Sequence, residues 1–346
     1  MKIAIITRSQ NGSPKILARC LKSMLSKLGH DSFIYENLAS VRRLSSYENV
    51  NFKYGKFIWG IYKLLHKIED FLFFSKLKNY DAIIFSETIP TMFMKSEYDI
   101  DKVKKITKSK PLMLYEVYYV GNAPTMVKFL EDNNDHSEEV FEWHLAVSST
   151  TEIKQTPKKP WSQIGLFLED ANLKPCKKER LLAIIDFERK EFKSTREMQI
   201  RVLEELNIPY ICLEGKYEIE EIRDIYRKST FYFMQSNESF GLPIAECLSC
   251  GSLVFTEDNS WPMAWRLDEN PTIHGPGILA DCFVEYGTEE SLKSILREIV
   301  ATYDLDNTPF EVFNKFYKNY PTFYSGNLNA LNESLISIQK LGFQSK

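Results

Sequence analysis

The chain alternates apolar, β-rich runs with segments of helical apolar spacing, and it does so in two successive series. Lys2–Thr7 is a run of the first kind, followed by the polar turn Ser9-Gln10-Asn11-Gly12-Ser13-Pro14. From Ile16 to Leu28 apolar residues then recur at helical spacing (Ile16, Leu17, Cys20, Leu21, Met24, Leu25, Leu28), and Gly29 is placed to cap that helix. Asp31–Glu36 is strand-like again. A strand, a crossover helix and a second strand pair in parallel with the helix on one face, so the opening predicts a parallel sheet. Further short strands are predicted at Ala82–Ser86, Pro111–Val117 and Leu145–Ser148, with a helix start at Ser149-Thr150-Thr151-Glu152.

The pattern breaks at Thr156-Pro157-Lys158-Lys159-Pro160. A second series follows: strand Leu181–Asp186, helix Ser194–Leu206, strand Pro209–Leu213, helix Ile219–Lys228, strand Phe231–Gln235, helix Pro243–Cys250 and strand Leu253–Thr256. The 346 residues are enough for two domains at roughly 100–200 residues each. The expectation is α/β, two Rossmann-like lobes facing each other across a cleft, with ligands beyond the carboxyl ends of the strands.

Composition narrows the function classes. With 44 basic against 47 acidic residues the net charge is −3, so no nucleic-acid footprint dominates and no nucleic-acid partner is expected. The 44% apolar and 26% charged content, with 14 Gly and 14 Pro, excludes collagen-like and disordered chains. The first loop holds a single glycine, Gly12, in place of the three a dinucleotide fingerprint needs, which argues against a nicotinamide enzyme. The apolar start is too short for a signal-peptide core, and no apolar run reaches the ~18–20 residues of a membrane span. Cys20, Cys176, Cys212, Cys247, Cys250 and Cys282 form no disulfide framework. Cys247 and Cys250 read as small buried helix residues, since a zinc site would need a second pair. A cytoplasmic location follows.

The segment with chemistry in it runs from Ser236 to Glu246, Ser-Asn-Glu-Ser-Phe-Gly-Leu-Pro-Ile-Ala-Glu, after an apolar strand. A tight loop holds Glu238 and Gly241, and a helix starts at Pro243, where a missing N–H costs nothing. Backbone amides from Phe240 to Leu242 then lie at a helix N-terminus, an anion site suited to a diphosphate. Glu246, one turn inside, is placed to accept both hydrogens of a vicinal diol such as a ribose. Glu238 meets the other end of a ligand lying across the helix mouth, and Gly251 closes the helix. A lone acidic residue in a first helical turn would only complement the dipole. Two glutamates bracketing Phe-Gly-Leu-Pro after a strand carry more.

Glu238 and Glu246 with the seven residues between them resemble the E-x7-E signature of retaining, nucleotide-sugar-dependent GT-B glycosyltransferases, the family 4-like group. Tyr226-Arg227-Lys228-Ser229-Thr230 before the strand, and Ser236, Phe240-Gly241-Leu242-Pro243 and Gly251 around the loop, extend the likeness. The resemblance covers most of the chain and is specific from about 181 to 300. It implies an acceptor lobe over 1–160 plus a C-terminal helix in about 325–346 (Leu328–Leu341), and a donor lobe over 161–324. A helix-and-strand run from Gly277-Ile278-Leu279 through Leu292–Val300 would close the donor lobe.

The resemblance further implies that Glu246 holds the ribose hydroxyls and Glu238 the donor-sugar hydroxyls. Ser239, Phe240, Gly241 and Leu242 would contact sugar and phosphates, and Gly12, in the reduced N-terminal loop Asn11-Gly12-Ser13, is a further ligand-binding candidate. Two cations after the first strand of the donor lobe would offset the departing diphosphate's charge. In Asp186-Phe187-Glu188-Arg189-Lys190-Glu191-Phe192-Lys193 these are Arg189 and Lys193, with Lys190 the competitor, ahead of a Ser194/Glu197 capping box. Glu116, after a strand, is the candidate on the acceptor side; His144 precedes a strand and His136 lies in a polar acidic stretch. With no metal-binding motif in a loop, metal independence is expected, with no cofactor beyond the nucleotide-diphosphate sugar as donor substrate.

The acceptor would be a carbohydrate or a lipid-linked glycan. Residues 42–78 hold eight Lys or Arg against three Asp or Glu, interleaved with Phe57, Trp59, Ile61, Leu64, Leu65, Phe71 and other apolar residues. Apolar residues surround much of this helix, which predicts a buried helix whose lysines snorkel. The competing reading is a basic, aromatic helix resting on anionic lipid. Two other functions share the fold: a sugar-nucleotide epimerase or hydrolase, and an inactive glycan- or partner-binding homologue.

Overall fold

A computed structural model describes residues 1–7, 12–36, 61, 64, 65, 68, 72, 75–86, 110–119, 121, 124–132, 137–149, 156–235, 240–257, 263–268 and 277–344. The chain divides into two compact units, the first built on Met1–Ser149, Ile153–Leu166 and Asn327–Lys346, the second on Phe167–Gly326.

The first unit contains six parallel strands, β1 (Lys2–Thr7), β2 (Asp31–Glu36), β3 (Ala82–Ser86), β4 (Leu112–Tyr118), β5 (Trp143–Ser148) and β6 (Trp161–Gln163), in the order β2-β1-β3-β4-β5-β6. Ile5 sits between Ile34 of β2 and Ile84 of β3, which fixes the register of the inner strands. β3 and β4 are buried along their whole length, as continuous apolar strands covered on both faces must be. Helix α1 (Ser13–Lys27) turns eight side chains inward, from Pro14 to Leu25 at helical spacing. Gly29, at φ 75°, follows its end. α2 (Pro124–Asp132) lies between β4 and β5 in the chain.

The second unit has five parallel strands, β7 (Ala183–Ile185), β8 (Tyr210–Cys212), β9 (Phe231–Phe233), β10 (Leu253–Glu257) and β11 (Phe283–Tyr286), in the order β11-β10-β9-β7-β8. Its longer helices are α3 (Lys193–Glu205), α4 (Ile219–Lys228), α5 (Leu242–Ser249), α6 (Glu289–Thr302) and α7 (Thr308–Asn319). A last helix, α8 (Leu328–Gln344), belongs to the first unit, where Ser334 donates to the Ser162 hydroxyl of β6 at 2.8 Å. Counted within each unit, both sheets share one order, second-first-third-fourth-fifth strand, and β6 extends the first sheet. That is a doubly wound topology whose order reverses between the first and third strands.

Several expectations are corrected. The expected run from Gly277 to Val300 does supply a closing strand, Phe283–Tyr286, and the helix α6, but its first residues, Gly277, Ile278 and Leu279, are irregular and Ile278 is exposed. The Ser194/Glu197 capping box does not form: a 3-10 turn, Lys190–Phe192, runs directly into α3, so Ser194 is already inside the helix. Ile61, Leu64, Leu65, Ile68 and Leu72 were expected inside and are exposed, at 45–60%. They share one helical face, spaced three and four apart. The remaining aromatic residues of 42–74 lie outside the described residues, as do Thr150-Thr151-Glu152 and His136. Cys247 and Cys250 are buried thiols, and burial pushes Cys250 up to about 12, which makes them inert at neutral pH.

Candidate functional site

In the second sheet the strand order reverses between β7 and β9, so the loops leaving their carboxyl ends open a crevice there. Those ends are tied together. The Asp186 N–H donates to the Phe233 carbonyl at 3.1 Å, and Gln235 Nε2 donates to the Asp186 carbonyl at 2.8 Å. From α3, Gln199 Nε2 reaches the Met234 carbonyl at 2.8 Å. Both loops therefore start from fixed positions.

The loop after β9 ends at Gly241, whose φ of 71° turns the chain into α5. Leu242 and Pro243 occupy the first two helical positions, one residue earlier than the sequence suggested, and among the described residues no side chain caps this end. Proline there removes one amide that would otherwise lack a partner, and the remaining first-turn amides face an anion with the helix dipole behind them. Phe240 anchors the turn from below. Its ring stacks on Trp265 with centroids 5.3 Å apart, and Trp265 Nε1 donates to the Phe240 carbonyl. The Phe240 side chain belongs to the core, so its backbone alone can face a ligand.

The far end of α5 is closed as tightly. The Ser252 N–H donates to the Cys247 carbonyl and the Gly251 N–H to the Leu248 carbonyl, both at 3.0 Å, with Gly251 at φ 80°. This pair of bonds is the Schellman closure. Lys178 Nζ, buried, donates to the Cys250 carbonyl at 2.8 Å and to the Arg227 carbonyl at 2.7 Å, so one ammonium caps α5 and α4 together. Burial lowers its pKa.

Glu246 is 2% exposed and pairs with Arg223 of α4, itself 5% exposed. Arg223 Nε lies 2.8 Å and Nη2 2.7 Å from the same carboxylate oxygen, Oε1. Burial raises the Glu246 pKa above the usual carboxylate value, and Arg223 pulls against it. α4 is held by a capping box between Glu218 and Glu221 and buries Ile219, Arg223 and Tyr226 on one stripe.

The structure brings Phe240, Gly241, Leu242 and Glu246 onto one strand–helix turn. Glu238 and Ser239 fall outside the described residues. Arg189, Lys190 and Lys193 are exposed on the loop after β7, Lys193 as the first residue of α3 with its Nζ 3.8 Å from Glu197. Gly12 belongs to the first unit, at φ 86° ahead of α1. Glu116 is corrected: it lies within β4, wholly buried, with Oε1 3.1 Å from His144 Nδ1 of β5. Tyr119, Phe141 and β4 enclose that pair, which places Glu116 in the core of its sheet instead of at a surface open to substrate.

Arg223, Arg196 and Gln235 were not anticipated. Arg196 is buried at the start of α3, reaching Glu188 at 3.2 Å and the Leu213 carbonyl at 3.4 Å. A charged residue on the apolar stripe of a helix, as at Ile219-Arg223-Tyr226, is the signal that could have found Arg223. Among the described residues, no group of three or more His, Cys, Asp or Glu is placed to hold a metal ion, and no helix is long and apolar enough to cross a membrane.

No family model matches the chain, and no curated protein matches it by sequence. Solved structures do resemble it. An alpha-glucosyltransferase in complex with UDP gives a TM-score of 0.55 at 10% identity, covering 98% of this chain and 99% of that one. An alpha-glucosyltransferase in complex with UDP and a 13-mer DNA containing a HMU base gives 0.54 at 10% identity over 98% and 99%. At that identity the likeness concerns the fold: two parallel sheets with flanking helices, the two Rossmann-like domains of GT-B glycosyltransferases.

Proposed function

We propose that the chain is a metal-independent, retaining glycosyltransferase that takes a sugar from a nucleotide-diphosphate sugar to a hydroxyl of a glycan or lipid-linked acceptor. The observation that carries this reading is the β9–α5 turn: a helix mouth opened by Gly241, with no side-chain cap among the described residues, at a strand-order reversal, and the buried carboxylate of Glu246 one turn inside. In this reading the diphosphate sits at the Gly241 and Leu242 amides and Glu246 takes the ribose hydroxyls. Glu238 takes the donor-sugar hydroxyls. Arg189 and Lys193, or Lys190, offset the charge of the leaving diphosphate. The bond from the anomeric carbon to the phosphate oxygen breaks as the acceptor oxygen bonds to the same face. The acceptor proton passes to the departing phosphate oxygen. The second unit then serves the donor and the first the acceptor.

The acceptor lobe would work in the cytoplasm, at the inner face of a membrane. What supports membrane contact is the exposed face of Ile61, Leu64, Leu65, Ile68 and Leu72 within a stretch carrying eight basic and three acidic residues. Vesicles containing phosphatidylglycerol should sediment the chain and phosphatidylcholine vesicles should not. Equal binding to both, or to neither, contradicts a charged-membrane contact. For the catalytic reading, the chain is incubated with UDP-, GDP- and ADP-sugars, with and without glycan, lipid-linked glycan or duplex DNA. Nucleoside diphosphate should be released only when a glycan or lipid-linked acceptor is present, with the product's anomeric configuration matching the donor's by NMR. Equal release without acceptor supports a hydrolase, transfer to DNA moves the acceptor to another class, and an inverted product removes retention.

A further inference from the structure

Arg223 does more to Glu246 than neutralise it. A guanidinium that meets a carboxylate side-on usually gives one N–H to each oxygen. Here Nε and Nη2 both point at Oε1, at 2.8 and 2.7 Å. The other oxygen, Oε2, takes no hydrogen bond from any described residue, and it is not one of the fully buried side-chain atoms left without a partner. It keeps contact with solvent on a side chain that is otherwise 98% covered, at 2% exposure. Arg223's remaining nitrogen, Nη1, reaches Glu220 at 3.4 Å near the surface, which steadies the fork from its outer edge.

We propose that Arg223 is a positioning residue that locks Glu246 with a single oxygen, Oε2, presented as the acceptor for the vicinal hydroxyls of a ribose. The ribose as ligand rests on the glycosyltransferase reading; the locking by Arg223 comes from the contacts of these two side chains. The chemistry needs it. A protonated carboxyl would offer one donor and a weaker acceptor, and two hydroxyl donors require an ionised one. Burial alone drives Glu246 toward the protonated form, and among the described residues Arg223 is the cation that acts on it directly. Among the described residues, the other titratable groups around Glu246 disfavour its charge or are neutral: Glu220 and Tyr226 on α4, and Cys247 and Cys250 at the end of its own helix. Without Arg223, the Glu246 pKa would rise further, and its orientation would be lost with the fork.

The test measures dissociation constants by calorimetry for UDP, GDP and ADP and for their 2′,3′-dideoxy counterparts, at pH 6.0, 7.0 and 8.5. The wild-type chain should bind at least one ribonucleoside diphosphate with affinity level across this range, and should prefer it to the dideoxy form on the order of tenfold or more, the value of a lost hydrogen bond to a charged group. Arg223→Gln should lose affinity for the ribonucleotide as pH falls from 8.5 to 6.0, because Glu246 takes up its proton, and its preference over the dideoxy form should vanish at pH 6.0. If that variant does not fold, Arg223→Lys carries the test. It keeps the charge and loses the fork, so its affinity stays level with pH while the diol preference falls at least threefold. Wild-type binding whose pH profile and diol preference survive in these variants overturns the proposal and leaves the glycosyltransferase reading standing. An equal loss for ribo and dideoxy forms at every pH also overturns it, since that reports a general structural role. A wild-type chain that binds none of the three nucleotides overturns both.

Discussion

Gly251 separates two contributions to stability that are usually entangled. At φ 80° it lies where an L side chain is strained, which costs about 1–2 kcal/mol for an alanine. A Cβ built there would also stand 2.3 Å from the Pro309 carbonyl oxygen and 2.7 Å from the Pro309 carbonyl carbon and Cα. All three are backbone atoms at the start of α7, so no rotamer change relieves the overlap and α7 must shift away from the end of α5. Overpacking of that kind costs about 1–3 kcal/mol. Gly251→Ala should therefore lose about 2–5 kcal/mol. Gly215 is the control in the same unit: its φ is 72°, and a Cβ there meets nothing within 4 Å. Gly215→Ala should lose only the conformational part, about 1–2 kcal/mol. Urea unfolding of the two variants beside wild type reads the difference directly. With a slope of roughly 1–3 kcal/mol per molar, the Gly251→Ala midpoint should fall on the order of 1 M below that of Gly215→Ala. Equal midpoints for the two variants would refute the argument, because they would mean that α5 and α7 do not meet as closely as Pro309 requires.

The other expected outcomes concern the polar core around the same helix. Lys178→Met removes the donor from two buried carbonyls, those of Arg227 and Cys250, and should cost about 2–4 kcal/mol in the same urea assay. Arg223→Met leaves Glu246 buried without its cation and should cost about 3–5 kcal/mol near neutral pH, whereas the double variant Arg223→Met/Glu246→Leu should return close to wild type. The pH dependence has a definite sign. The Glu246 pKa is raised by burial, so the folded state holds its proton more tightly than the unfolded state, and stability is lost as pH rises through the folded pKa. Removing Arg223 raises that pKa further. The deficit of Arg223→Met should thus shrink as the pH is lowered toward 5, and a deficit that grows on acidification would contradict the assignment of burial as the dominant cause.

Regular elements were legible where their apolar pattern was long. α1 announces itself through seven apolar residues on one face and a closing glycine, and β1, β3, β4 and β5 through apolar runs. The short elements were not. β6 is three residues and β11 four, with Val284 only partly covered and Glu285 exposed, so neither carries a pattern that distinguishes it from a loop. The start of α3 was misread because a Ser-x-x-Glu spacing signals a cap only if the chain before it is extended, and here a 3-10 turn precedes it. At the candidate site, Gly241, Pro243 and Glu246 could be found because turn, helix start and carboxylate lie within six residues of one another. Arg223 could not be found in the same way. Its partner is 23 residues away, and only the packing of α4 against α5 brings them within 2.8 Å. Glu116 shows the converse: a carboxylate in an apolar strand looked available in sequence and proves to be matched inside the sheet by His144.

The central claim is that the β9–α5 turn receives the diphosphate of a nucleotide. Hydrogen exchange resolved to single amides, with and without saturating UDP, GDP or ADP, tests it most directly, because the proposed contacts are themselves backbone N–H groups. The account predicts slowed exchange at Gly241 and Leu242 on addition of the bound nucleotide, with the amides opening α1 beyond Gly12 unchanged. Unchanged exchange at Gly241 and Leu242 in the presence of a nucleotide that binds, or slowing confined to the start of α1, would contradict it.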